Sequence, residues 1–137
     1  MTILLDTNVC IALINRRPPV VRDRARAARD RGEQLAISSI SLFELWFGVS
    51  KSARPEENSE RLADFISPLE IVPFDDEDAY RAGQIRARLE RIGLPIGAYD
   101  YLIAAQAVQK SLLLVTANVG EFSRIEGLRW EDWSRTA

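Results

Sequence analysis

Two stretches of this chain are apolar at nearly every position and too short to be helices: residues 2–5 (TILL) and residues 112–116 (LLLVT). A strand with one wet face alternates apolar and polar side chains, whereas a strand without alternation is covered on both faces. Doubly covered strands belong to parallel sheets, whose neighbours are joined by crossover helices. Residues 35–38 and 71–72 are further strand candidates, and a last one lies near residues 128–130.

Helical signals fill the intervals. A helix follows Asp6, with Asp6 or Thr7 near its cap and Cys10, Leu13 and Ile14 on one stripe. After the Pro18-Pro19 break, residues 20–31 read as a polar helix ending at Gly32. A third helix runs through Val49 with Ser39 or Ser41 as its cap, and a fourth covers residues 54–65. The acidic run 75–78 opens a helix to Gly93, and another covers residues 98–110 beyond Pro95 and Gly97. A short turn or helix is expected around Glu121. The expected fold is therefore α/β, a short parallel β-sheet flanked by α-helices on both faces, with residues 1–137 as one domain.

Composition narrows the chemistry. The 137 residues include no histidine and one cysteine, Cys10. That excludes an imidazole general base, a Ser-His-Asp triad, a Cys-His dyad, a histidine zinc site and any disulfide framework. Cys10 is expected to be a small buried hydrophobe. No apolar run reaches the ~20 residues of a membrane span, and the N-terminus lacks a basic, cleavable leader, so a cytoplasmic protein is expected. The net charge of −2 gives the whole chain no nucleic-acid signature, although local patches remain.

Most carboxylates sit where solvation or helix dipoles put them: Glu56, Glu57 and Glu60 in a polar helix, Asp75 to Asp78 at a helix start, Glu131 and Asp132 near the tail. Three do not. Asp6 ends the first apolar strand, Glu44 interrupts ISLFELWFGV, and Asp100 heads the apolar stripe of YDYLIAAQA. A charge on an apolar stripe is costly unless something pairs with it. Residues 1–15, 33–50 and 92–109 contain neither Lys nor Arg. Three such acids, if they met, would repel one another unless a divalent cation held them, and carboxylates are hard ligands suited to Mg²⁺ or Mn²⁺. In an open parallel sheet they have a place to meet, the crevice at the carboxyl ends of the strands beside a switch in strand order.

LLDTNVCIALI, SSISLFELWFGV, GAYDYLIAAQA and LLVTANVGEFSRIEGLRWEDW, in that order and over nearly the whole length, resemble the PIN-domain ribonucleases, and among them the VapC toxins of bacterial toxin–antitoxin pairs. The resemblance implies a PIN-like domain in which Asp6, Glu44 and Asp100 bind metal. Thr7 and Asn8 match residues flanking the first acid, and Thr116 matches a hydroxyl beside the metal. The fourth acidic position departs from the pattern: many relatives carry Asp where this chain has Asn118, with an acid three residues on, here Glu121. Asn118 adds no negative charge, so a second ion is less expected than the first. The implied chemistry is Mg²⁺-dependent hydrolysis of an RNA phosphodiester by metal-activated water, leaving a 5′-phosphate and a 3′-hydroxyl, with Mn²⁺ able to substitute. The implied partners are a VapB-like antitoxin, an RNA substrate such as tRNA, promoter DNA through the antitoxin alone, and a second copy in a homodimer.

Residues 16–33 hold seven arginines against Asp23, Asp30 and Glu33, a balance of 7 − 3 = +4. This segment reads either as a solvated helix with i,i+4 ion pairs or as a surface that tracks an RNA backbone. Arg86, Arg88 and Arg91 form a second group open to the same readings. Of Phe43, Trp46 and Phe47, at least two are expected in the core, and the resemblance offers the rest an apolar groove for an antitoxin helix. Trp130 and Trp133 are expected to pack the last strand. Two rivals stand beside the nuclease. A receiver or phosphatase shares the fold class, but Asp6 has no acidic neighbour and no lysine follows Lys110. A catalytically inactive PIN scaffold that only binds an antitoxin or RNA is argued against by Asp6, Glu44 and Asp100 all being present.

Overall fold

The computed structural model describes residues 1–135. In chain order its elements are β1 (Thr2–Leu5), α1 (Thr7–Asn15), α2 (Pro19–Asp30), β2 (Gln34–Ser38), α3 (Ser39–Ser50), α4 (Pro55–Ile66), β3 (Glu70–Val72), α5 (Asp76–Arg91), α6 (Ala98–Gln109), β4 (Leu113–Val115), α7 (Val119–Phe122) and β5 (Trp130–Glu131). The strands form one sheet in the order β3-β2-β1-β4-β5, and every pairing is parallel. The chain builds outward from β1 to β3, then returns to lay β4 on the other side of β1. The reversal makes the gap between β1 and β4 the switch point of the sheet.

The lack of alternation in TILL has a direct cause. Ile3 and Leu5 pack with Leu35, Ile37, Leu113 and Val115 into one core, closed by α1 to α4. Leu4, Ala36 and Leu114, one residue out of phase, pack into a second core closed by α5, α6 and α7. The central strands β1, β2 and β4 are apolar on both faces because each face has its own layer of helices, whereas the edge strands β3 and β5 carry exposed residues. Cys10 and Trp133 lie in the first core, and burial pushes the Cys10 thiol up. Trp130 packs at the edge of the second core. Among the described residues no helix is long and apolar enough to cross a membrane.

Several expectations need correction. The α3 cap is Ser38, whose hydroxyl accepts from the Ile40 amide at 2.9 Å, not Ser39 or Ser41. Ser41 is buried inside the helix, and the Ser39 hydroxyl accepts from the Phe74 amide instead. Phe43, Trp46 and Phe47, at 56%, 39% and 58% exposure, all lie outside the core. The face of α3 that packs is set by Leu42, Leu45 and Val49, which leaves the three aromatics together on the outer side. Phe43 stands edge-on to Tyr99, also exposed, with ring centroids 5.8 Å apart. The arginine-rich α2 is solvated, but its ion pairs are not the i,i+4 kind: Arg24 reaches Glu131 at 3.6 Å and lies over Trp133.

The acidic start of α5 carries a capping box between Asp75 and Asp78. Asp78 is fully buried, and Lys110 at the end of α6 bonds it at 2.5 Å and Asp75 at 3.2 Å. Gln106, also fully buried, accepts from the Ser38 hydroxyl at 2.5 Å and donates to the Val72 carbonyl at 3.1 Å, tying α6 to the ends of β2 and β3.

Candidate active site

The crevice between β1 and β4 is walled by carboxylates. Asp6 follows the last residue of β1, and its amide still pairs with β4 by donating to the Val115 carbonyl at 3.0 Å. Its side chain is 4% exposed. Thr116, one residue past β4 and fully buried, donates its hydroxyl to Asp6 Oδ2 at 2.8 Å. The Asn118 amide in turn donates to the Thr116 oxygen at 2.9 Å. Two parallel strands that end together therefore fix one carboxylate, with bonds spanning 110 residues of sequence.

Glu44 enters from α3. Its Oε1 lies 2.8 Å from Thr7 Oγ1, which lies 2.8 Å from the Ser41 hydroxyl. A threonine hydroxyl has one proton to give. The arrangement that satisfies both contacts is a relay in which Ser41 donates to Thr7 and Thr7 donates to Glu44. Thr7 thus turns Glu44 toward the start of α1, beside Asp6.

Asp100 enters from the first turn of α6, and Gly97, the residue before that helix, sits close against it. A Cβ at Gly97 would stand 3.1 Å from Asp100 Oδ2. Glu121, on α7, is held through both oxygens: the Gly97 amide donates to Oε1 at 3.3 Å and the Asn118 side-chain amide donates to Oε2. Asn118 therefore spends its NH₂ group on Glu121.

The electrostatics record how closely these acids meet. The Asp100 carboxyl is pushed up to about 7, first by burial and then by the charges of Asp6, Glu121 and Glu44 and a hydrogen bond with Glu121. Asp6 is raised by burial against the opposing bonds from Thr116 and the Thr7 and Asn8 amides. None of the four acids enters an ion pair among the described residues. Among those residues no three acids stand close enough together to hold a metal ion as they are placed. The donor set still fits a hard divalent cation. It is oxygen-only and mutually repulsive, and no basic side chain neutralises it.

The six residues singled out in the sequence fall in this one crevice, with Thr7 and Asn8 at its edge. Sequence reasoning missed Ser41 and Gly97. Both carried a signal: a serine facing inward three residues before Glu44, and a glycine three residues before Asp100.

Fold and crevice together define an open parallel α/β protein that gathers acids at its switch point. The chain belongs to the PIN-domain family, whose model matches residues 3–128. It is similar to the tRNA(fMet)-specific endonuclease VapC of Salmonella typhimurium, at 45% identity over 95% of this chain and 96% of that protein. It is also similar to the ribonuclease VapC2 of Rickettsia felis, at 41% identity over 98% of this chain and all of that protein. Among solved structures it matches VapBC2 from Rickettsia felis bound to a promoter DNA fragment, with a TM-score of 0.91 at 41% identity, covering 97% of this chain and 99% of that one. DNA-bound VapBC from Salmonella typhimurium matches with a TM-score of 0.89 at 44% identity, covering 97% and 98%. PIN-domain VapC nucleases generally depend on a divalent metal.

Proposed function

We propose that this chain is the toxin of a toxin–antitoxin pair, an endoribonuclease that hydrolyses structured RNA, tRNA foremost, in the cytoplasm with the help of Mg²⁺ or Mn²⁺. The observation that carries the reading is the meeting of Asp6, Glu44, Asp100 and Glu121 without a basic partner, in a chain similar throughout its length to named VapC nucleases. Asp6 and Asp100 would hold the cation, with Glu44 beside it or through a water. When bound, a divalent cation polarises a phosphoryl oxygen and lowers the pKa of the attacking water.

The chain's own groups do the positioning. Thr116 engages Asp6 Oδ2, and the Thr7 and Asn8 amides also bond the Asp6 carboxyl, so three donors fix its orientation. The Ser41–Thr7 relay sets the orientation of Glu44. Glu121 is tied back by Gly97 and Asn118, so it acts chiefly as a negative wall behind Asp100. With no histidine in the chain, proton movement at the scissile phosphate falls to carboxylate and water.

Two surfaces suit the partners of such a toxin. A groove of about 500 Å³ runs from Thr7 and Glu44 between α1, α3 and α4, with Ile11, Ile14 and Val49 on its walls. It fits an amphipathic antitoxin segment, which would block the approach to the carboxylates. The exposed Phe43, Trp46, Phe47 and Tyr99 form an apolar patch suited to a second copy in a homodimer. Promoter DNA would be reached through the antitoxin; the similar VapBC complexes of Rickettsia felis and Salmonella typhimurium are bound to DNA.

Sequencing RNA ends after brief expression tests the reading. Wild-type protein is expected to generate new 5′-phosphate ends at few sites, and Asp6→Asn none. If wild-type protein binds its antitoxin but generates no ends, the chain is a scaffold and the nuclease reading fails.

A further inference from the structure

Arg17 aside, the arginines of residues 16–33 divide into two groups. Arg31 pairs with Glu33 at 2.9 Å, and Arg24 is taken by Glu131 and Trp133. Arg16, Arg22, Arg26 and Arg29 are exposed and enter no ion pair among the described residues. These four line a single groove of about 270 Å³ with an apolar floor that includes Leu35 and Phe65, and no carboxylate lines it. Arg22, Arg26 and Arg29 share one face of α2, while Val21, Ala25 and Ala28 bury the other. Like charges at i,i+4 disfavour a helix by roughly 0.2–0.5 kcal/mol per pair. Asp23 and Asp30 on the same helix form no ion pair with these arginines among the described residues, so the cluster stays net positive and suits a ligand of opposite charge.

The groove is joined to the active site. Arg16 also lines an adjoining groove with Asn15, Arg61 and one carboxylate, Asp64. Asn15 and Arg61 in turn line the groove that begins at Thr7 and Glu44. The track follows α1, whose nine residues span about 14 Å. One end of it is acidic and suited to a metal; the other is cationic and built from forked guanidiniums, which match phosphate geometry.

We propose that the Arg16, Arg22, Arg26 and Arg29 groove binds phosphates of the substrate RNA several nucleotides away from the bond that is cut. The inference rests on the RNA-cutting reading and deepens it. The groove is a holding site, so it favours structured RNAs large enough to reach it over short oligonucleotides. Neighbouring side chains on one helix face stand about 6 Å apart, comparable to the spacing of phosphates along a strand. An RNA whose scissile phosphate lies in the acidic crevice already runs toward this groove. That continuity favours RNA over an acidic protein segment.

The test compares wild-type protein with R22Q/R26Q/R29Q and with the charge-preserving R22K/R26K/R29K. Each is assayed on a full-length tRNA and on a short single-stranded RNA spanning only the cleaved bond. The glutamine variant is expected to raise KM for tRNA roughly 10- to 100-fold and to flatten the salt dependence of binding by about two charges' worth of slope. kcat on the short RNA should be unchanged, and the lysine variant should restore most tRNA binding. Unchanged tRNA KM and salt slope in the glutamine variant overturn the inference, as does loss of antitoxin binding in place of RNA binding. If wild-type protein cuts neither RNA, the nuclease reading itself has failed.

Discussion

Two acidic regions of this molecule are each built around one buried carboxylate, and they are chemically opposite. At the head of α5, Asp78 is fully buried, and Lys110 bonds both it and Asp75. At the ends of β1 and β4, Asp6 is almost as buried, and its neighbours are further acids. The Asp75 carboxyl is held below the usual range, first by its bond from the Asp78 amide and then with help from Lys110. The Asp100 carboxyl is pushed up to about 7. Burial alone therefore does not separate a structural acid from a functional one. The separation comes from whether the fold supplies the counter-charge or leaves that to a ligand.

Breaking each region should hurt a different property. Asp100→Asn is expected to lower RNA cleavage by on the order of 10³-fold, since a bound metal contributes several kcal/mol to the transition state. Single-turnover cleavage of tRNA with Mg²⁺ measures this, with a cooperative unfolding transition as the check on folding. Lys110→Ala should do the reverse. It strands a buried carboxylate and costs about 3 kcal/mol of stability in urea unfolding, while cleavage per folded molecule stays near wild type.

Smaller effects sharpen the contrast. Thr116→Val removes the proton donated to Asp6 and keeps the shape, so cleavage and metal affinity should fall roughly 10- to 100-fold together. Isothermal titration with Mn²⁺ beside the rate separates this from a general loss of structure. The smallest effect concerns pH. Asp100 in the folded chain holds a proton up to about pH 7, whereas in the unfolded chain it releases that proton near its ordinary value of 3.8. Its contribution to stability therefore declines as pH rises between those values and stays low above them. In metal-free buffer Asp100→Asn should match wild type near pH 4. It should exceed wild type by about 1 kcal/mol above pH 7, a figure reduced for the half-exposed position of the group. Added Mg²⁺ should close the gap.

Much of this layout is legible in the residues. TILL and LLLVT announce strands covered on both faces, and the base-free surroundings of Asp6, Glu44 and Asp100 mark them as acids in need of a partner. What escapes is whatever depends on distant pairing or on which side of a helix finds a neighbour. Phe43, Trp46 and Phe47 read as core because large apolar side chains usually are, yet α3 packs through Leu42, Leu45 and Val49. Asp78 reads as one more acid at a helix start, since Lys110 lies 32 residues away. Glu121 reads as an approximate fourth ligand because its restraint by the Gly97 amide crosses from another loop. Periodicity reports the local path of the chain, not the helix that will lie across it.

The order of the strands has a consequence for a chain emerging from a ribosome. β1 is made first but is central, and its partner β4 and the Thr116 hydroxyl arrive some 110 residues later. Until then Asp6 has neither the strand beside it nor the bond that aims it, and Asp100 and Glu121 are still to come or still unfolded. A chain that ends before β4 thus lacks both the strand that pairs with β1 on that side and the hydroxyl that aims Asp6. The crevice can therefore be completed only when synthesis is nearly over, because its last parts, Thr116 and Glu121, come from the final quarter of the chain.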